Sequence, residues 1–280
     1  MSATSSSLRT NNVKTNAVKE NQQPITGLGQ GDIAPTVFLC GDPARINKVS
    51  AKWDESKEVC CVREYTVHTG SKDGVALSAA STGIGAPSTA FIMEQLANLG
   101  ATTFIRIGNS GALGDDVALG DYVISTASIR DEGTTRSYVR PEFPAAADYR
   151  VIAALVAAAA ERDATFHTGV SLSVDGFYPV NKVLGEDGAL LPMSHQGYQQ
   201  SFMNNVMLDA KAAGAMNIEM ESSTILTLAS LFGLCAGCIC TVSDRCPWPG
   251  PGQDSIALDQ NIDGAIDIAI AAALQLAQPS

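Results

Sequence analysis

Four times along the chain a short apolar stretch breaks abruptly into small and polar residues. TVFLC runs into GDPAR, VALSAA into STGIGAPS, TFIRI into GNSGAL, and GCICTV into SDR. Helical stretches lie between several of these, among them STAFIMEQLANLG, which ends on a glycine stop, and DYRVIAALVAAAAERDA. Strands alternating with helices predict an α/β fold: a single domain with a central mixed, largely parallel β-sheet flanked by helices. Ligands in such sheets bind at the carboxyl ends of the strands. Each of the four loops is at such an end.

The length of 280 residues and an apolar content of 45% supply a sizeable core. A formal net charge of -11 argues against nucleic acid or an anionic membrane as the main partner. Residues 1–24, rich in Ser, Thr and Asn, read as a disordered tail, leaving 25–280 as the folded domain. The uncharged run from Ser222 to Ser243 has the length of a membrane span. Its Ser, Thr and Gly content and the break at FGLCAG read instead as a buried helix followed by a buried strand.

Cysteines at 40, 60, 61, 235, 238, 240 and 246 are odd in number and sit mostly in apolar runs. With no secretory leader pattern, they read as reduced thiols of a cytoplasmic protein. CAGCIC holds a C-x-x-C spacing but has no second pair at zinc-ribbon distance, so no metal is expected there.

Arg106 stands alone inside TFIRI. Burying an unpaired guanidinium costs several kcal/mol or more, so the expectation is that an anionic ligand neutralises it. Arg45 in GDPAR and Arg63 in VREYT also fall near strand ends, and glycines at 41 and 108 can turn backbone amides toward an anion. Together they suggest a phosphate cradle. GIGAPS is a weak dinucleotide fingerprint, since it lacks the last glycine. It reads better as a tight turn feeding a helix that opens with Pro87.

The series GDPAR, REYT, STGIGAPST, IRIGNSGAL, FPAAADY, FYP and NIEMESST resembles, in this order, the nucleoside phosphorylase-I family, most closely its uridine-cleaving branch. The resemblance runs from about Gly27 to Arg245. It implies phosphorolysis, in which a nucleoside and inorganic phosphate give a pentose 1-phosphate and a free base. It further implies phosphate binding by Gly41, Arg45, Arg106 and Asn109, with Arg63 reaching in from a neighbouring subunit. Glu219, Met220 and Glu221 match the ribose clamp, although an acidic helix start also explains the two glutamates. Phe177 matches the aromatic that stacks on the base, and Ser110 and Gly111 the turn lining it. No organic cofactor is implied. Glu64, Ile84 and Ser88 match a monovalent-cation site at a dimer interface, and the shared pocket implies a homodimer or a ring of dimers.

Four departures from the family pattern bear on the base. Asn109 replaces a threonine. Ile25 stands near the place of a histidine that contacts the sugar 5′-hydroxyl, and the histidines at 68, 167 and 195 lie elsewhere. Asn181 and Val183 occupy the places of the glutamine and arginine that read uracil, with Lys182 or HQGYQQ as other routes to the ring. SDR, finally, resembles the purine branch: Asp244 then matches a general acid, with Arg245 assisting it as the leaving base gathers charge. CPWPGPGQD after it reads as a loop covering the base pocket. Uridine phosphorolysis is therefore weighed against purine phosphorolysis, and against a catalytically inactive nucleoside-binding protein.

Overall fold

The computed structural model describes residues 22–249 and 261–278. Most of the expected tail and the later part of the CPWPGPGQD loop lie outside them. Gln22 to Pro24 do not belong to a tail: Gln22 bridges Gly29, and the Gln23 N–H donates to the Leu28 carbonyl at 2.8 Å.

The chain begins with β1 (Thr36–Cys40) and α1 (Pro43–Ser50), then a meander of β2 (Glu55–Val62), β3 (Tyr65–Lys72) and β4 (Val75–Ser81). Next come α2 (Ala86–Asn98), β5 (Thr103–Ala112), β6 (Tyr122–Asp131), the short β7 (Ala145–Ala146), α3 (Tyr149–Ala160) and β8 (Phe166–Val174). A single turn α4 (Phe177–Val180) leads into a hairpin of β9 (Lys182–Leu184) and β10 (Leu190–Pro192). The chain continues with α5 (Val206–Ala212), β11 (Asn217–Glu219), α6 (Ser222–Leu231), β12 (Cys235–Arg245) and α7 (Ile262–Leu276).

The main sheet runs β11-β8-β6-β12-β5-β1-β4-β3-β2, and β11 also pairs with β5, so one half of the sheet closes on itself. Parallel pairs β12–β5, β5–β1 and β1–β4 form its centre, with antiparallel β2 and β3 on one side. This is the α/β architecture expected, and Ser222–Ser243 is a buried helix and strand. The strands are longer than the apolar runs suggested. GNSGAL was expected as a loop, yet β5 continues to Ala112 because its small residues pair with β12 up to Arg245.

Alternation along β5 divides its side chains between two layers. Ile105 and Ile107 join Leu155, Ile239 and Ile266 in the core beneath α3 and α7. Phe104 joins Ile92, Leu96, Ile225 and Leu226 beneath α2 and α6. Arg106 shares the parity of Phe104 and so faces the side of α6. Asp148 caps α3 by accepting from the Arg150 N–H at 2.9 Å.

Gly237 shows how closely α3 lies on β12: a Cβ there would meet Val151 Cγ1 at 2.4 Å. Gly237→Val is expected to lower stability by about 1–3 kcal/mol through overpacking, read as a fall in the urea midpoint at unchanged slope.

Candidate active site

A cavity of about 780 Å³ opens where the carboxyl ends of β1, β5 and β12 meet β11. Gly41, Arg45, Arg106, Asn109, Ser110, Gly111, Phe177, Asn181, Glu219, Met220, Glu221 and Asp244 all line it. Arg63 and Arg245 do not.

At one end lies Arg106, 3% exposed. Its Nη2 contacts Glu221 Oε2 at 2.6 Å and Glu219 Oε2 at 3.1 Å. This corrects the expectation that only a ligand could neutralise the guanidinium: two carboxylates of the chain itself do so. Burial alone would pull its pKa down, but Glu221 and Glu219 outweigh that and hold it above the ordinary value. Nε and Nη1 remain buried without a protein acceptor. The guanidinium lies against Gly108, where a Cβ would sit 2.7 Å from Nη2. That close approach, rather than a turn, accounts for the glycine.

Arg45 is buried on α1 and donates from Nη1 to the Ile107 carbonyl at 3.4 Å. Both guanidiniums act on the buried Cys40 thiol: burial pushes it up to about 11, while Arg45 and Arg106 pull it down. Two cations thus converge on one end of the cavity. Asn109 lines the same cavity, and its Oδ1 is buried with no partner.

The two glutamates of NIEMES differ in what they do. Glu219 Oε2 accepts from the backbone N–H of Glu221 and of Ser222, each at 2.8 Å, at the start of α6. Its Oε1 accepts from Ser222 Oγ at 2.5 Å and from Ser173 Oγ. With so many donors on it, Glu219 is placed to hold the helix start and Arg106 rather than a sugar. Glu221 Oε1 accepts from the Gly85 N–H at 2.6 Å, in the GIGAPS turn, where Gly83 and Gly85 take φ of 67° and 90°. Burial, partly offset by Arg106, raises the Glu221 carboxyl above its usual range.

The other end is aromatic and weakly polar. Phe177 meets Trp248 edge-on, with ring centroids 5.6 Å apart. Asp244 Oδ1 accepts from Ser243 Oγ at 2.7 Å and Oδ2 from the Trp248 indole at 2.9 Å. Burial pushes the Asp244 carboxyl up, opposed by the Ser243, Trp248 and Cys246 hydrogen bonds. A β-bulge between Val242 and Asp244 breaks the β12 register, so Ser243 and Asp244 both reach the cavity. Arg245, expected beside the leaving base, is instead exposed and donates to the Val117 carbonyl at 2.9 Å. Asn181 is constrained: Nδ2 donates to the Phe177 carbonyl and Oδ1 accepts from the Cys246 thiol at 3.1 Å. Val183 and Lys182, the other positions considered for reading uracil, are not in the cavity wall.

Arg63 lies at the β2–β3 turn with φ of 55° and a side chain 68% exposed, 3.6 Å from Glu64. It does not line its own cavity, although Glu64 does. Glu64 and Ser88 are joined at 3.2 Å beside Gly83, and Ile84 is 79% exposed next to it. Ile25 is exposed and outside the wall. His68 and His167 pair with Ser50 and Asp121 away from the cavity. Trp248, Cys246 and Ser243 were not singled out by sequence. The available signal was a tryptophan between prolines, four residues beyond Asp244.

A family model described as the phosphorylase superfamily matches residues 35–277, which contain every element of this cavity. The chain belongs to the phosphorylase superfamily. It is 46% identical to a uridine phosphorylase of Thermococcus kodakarensis, over 80% of this chain and 78% of that protein. A uridine phosphorylase of Salmonella typhimurium is 36% identical over 89% of this chain and 96% of its own length. A guanosine phosphorylase of Halorubrum lacusprofundi is 35% identical over 79% and 83% respectively.

Removing the cation from this site should be worse than removing an isolated charge. Arg106→Met leaves Glu219 and Glu221 buried together and is expected to cost about 3–5 kcal/mol. Glu221, whose carboxyl burial already raises, loses the Arg106 contribution that lowers it, so the folded state binds its proton more tightly than the unfolded state and stability falls as pH rises through that titration. Urea titrations should show the deficit shrinking on acidification.

Proposed function

We propose that this chain is a nucleoside phosphorylase acting on uridine: uridine and inorganic phosphate give uracil and ribose 1-phosphate. The observation that carries the reading is the buried Arg106, whose Nε and Nη1 lack an acceptor while Nη2 holds the carboxylate Glu221. An oxyanion fits the free donors, and ribose hydroxyls fit the carboxylate. The relatives named uridine phosphorylase support the substrate.

In this reading Arg45, Arg106, Asn109 and the Gly41 backbone hold phosphate beneath the sugar. Glu221 accepts from the ribose hydroxyls, Met220 packs on the ring, and Phe177 stacks on the base. A phosphate oxygen attacks C1′ as the glycosidic bond breaks, and the bonding pair leaves with the base. The fixed dianion offsets the positive charge that develops on the sugar. Asp244, whose carboxyl burial pushes up, meets the leaving base as a proton or hydrogen-bond donor. Purine phosphorolysis is the second reading, favoured by Asp244 at the base end and by the guanosine phosphorylase relative.

Arg63 completes the phosphate site of a neighbouring subunit in a homodimer or ring of dimers, a reading supported by its 68% exposure and its absence from the wall of its own cavity. A monovalent cation belongs beside Glu64, Ser88 and Ile84, and no step of the reaction runs through it. The site needs no organic cofactor. A cytoplasmic location completes the proposal, supported by seven cysteines that are all free thiols. Among the described residues no helix is long and apolar enough to cross a membrane.

Incubation with phosphate and a panel of uridine, inosine and guanosine, followed by chromatography of the bases, is expected to show uracil release. Hypoxanthine or guanine without uracil would replace the first reading by the second. Nucleoside binding by calorimetry, indifferent to phosphate and without turnover, would make the chain a binding protein. For the shared site, inactive Arg63→Ala and Arg45→Ala subunits should recover about a quarter of wild-type activity when exchanged, since symmetric pairing restores one of two sites in each mixed pair. Exchanged oligomers with no activity would count against it.

A further inference from the structure

After β12 the chain passes through a cis Cys246–Pro247 bond to Trp248, which is held from several directions. Its N–H donates to the Lys182 carbonyl and its carbonyl accepts from the Leu184 N–H, both at 2.8 Å, so it pairs along β9. Its ring meets Phe177 edge-on at an interplanar angle of 75°. Its one donor, the indole N–H, goes to Asp244 Oδ2 at 2.9 Å.

We propose that Trp248 is a positioning residue that sets base preference: its indole N–H fixes the Asp244 carboxyl at the base edge, and its ring walls the base site beside Phe177. This rests on the phosphorolysis reading and extends it. An indole spent on a carboxylate inside a cavity is a specific arrangement, since water at the protein surface would satisfy the same N–H. It leaves each Asp244 oxygen with one protein donor besides the weak thiol contact from Cys246, so the carboxyl can still meet the base, as a donor when protonated and as an acceptor when ionised. A base is then accepted or refused by how its edge meets that fixed carboxyl, because a buried polar group left unmatched discriminates strongly.

Trp248 shares this carboxyl with Ser243, which donates to Oδ1 at 2.7 Å, and is the donor on Oδ2. From β5 the neighbour is Gly111, where a Cβ would meet Asp244 Oδ2 at 2.8 Å, and from β11 it is Ile218. Asn181, after α4, contacts Cys246. Cys246, 3.7 Å from Oδ2, is the titratable group in contact, and burial pushes its thiol far above neutrality. Arg245 turns away to the Val117 carbonyl. A donor on a carboxylate favours the ionised form, so losing the indole N–H should raise the pH at which Asp244 titrates.

The test compares pH profiles of kcat/KM for uridine, inosine and guanosine in wild type, Trp248→Phe and Asp244→Asn. The wild-type profile should contain a limb that Asp244→Asn lacks. Trp248→Phe keeps a ring, and it should move that limb upward by about half a unit or more. It should also alter the ratio among the three nucleosides while the KM for phosphate stays constant. A Trp248→Phe profile superimposing on wild type with unchanged ratios overturns the proposal, as does a limb that survives in Asp244→Asn. Should the phenylalanine variant lose all turnover, Trp53→Phe leaves Trp248 as the one tryptophan. Its emission should then change on adding free uracil, hypoxanthine or guanine, and emission indifferent to all three overturns the proposal. Wild type releasing no base from any nucleoside defeats phosphorolysis itself, an outcome separate from superimposed profiles in an active enzyme.

Discussion

The contact of Arg106 with Glu219 and Glu221 joins segments that are far apart in sequence. It ties the middle of β5 to the end of β11 and the start of α6, and through Glu221 and the Gly85 N–H it fixes the turn before α2. A cation buried this deeply is tolerable only with carboxylates at contact distance, and carboxylates buried this deeply only with further donors. The donors are supplied by the backbone at the head of α6 and by Ser173 and Ser222. Ser128 Oγ in turn lies 3.0 Å from Ser173 and 3.3 Å from Ser222, extending the polar chain into β6. One charge therefore dictates the small residues around it: glycine at 108 and serines on β6, β8 and α6.

The same contact gives the two ends of the cavity different characters. Around Arg45 and Arg106 the wall presents guanidiniums, and Arg106 keeps Nε and Nη1 without a protein acceptor, which suits an oxyanion and polar sugar hydroxyls. Around Phe177 and Trp248 it is aromatic, with one carboxyl held by neutral donors. Glu221 stands where the two meet. The proposed reading divides a nucleoside and a phosphate along this line, with the sugar in the middle and its anomeric carbon over the anion. Glu219 belongs to the framework even though it touches the cavity, because its oxygens are occupied by the helix start and two hydroxyls.

The division of labour on β12 follows from one backbone irregularity. Regular alternation would send Ser243 and Asp244 to opposite faces. The bulge after Val242 lets both look into the cavity, and the next residue, Arg245, then leaves it for the Val117 carbonyl. A strand end with a bulge beside a site is a recurrent way of re-aiming a single side chain.

The sequence alone determined the layering, because apolar period and glycine breaks report burial and chain reversal locally. It also picked out Arg45, Arg106, Asn109 and Glu221, whose motifs carry a family order and which all line the cavity, although Arg106 sits in the middle of β5 and Arg45 on α1. It left Arg245 beside the base and Arg106 waiting for a ligand, and only the tertiary structure corrected both. The partner of a buried charge and the aim of a side chain past a bulge depend on segments more than a hundred residues apart. Trp248 was decided in the same way, by a hairpin that docks beside Asp244, whereas Glu219 is the acidic helix start the sequence offered as an alternative, its amide donors only two and three residues ahead. No local pattern encodes such meetings; they exist only once the sheet has closed.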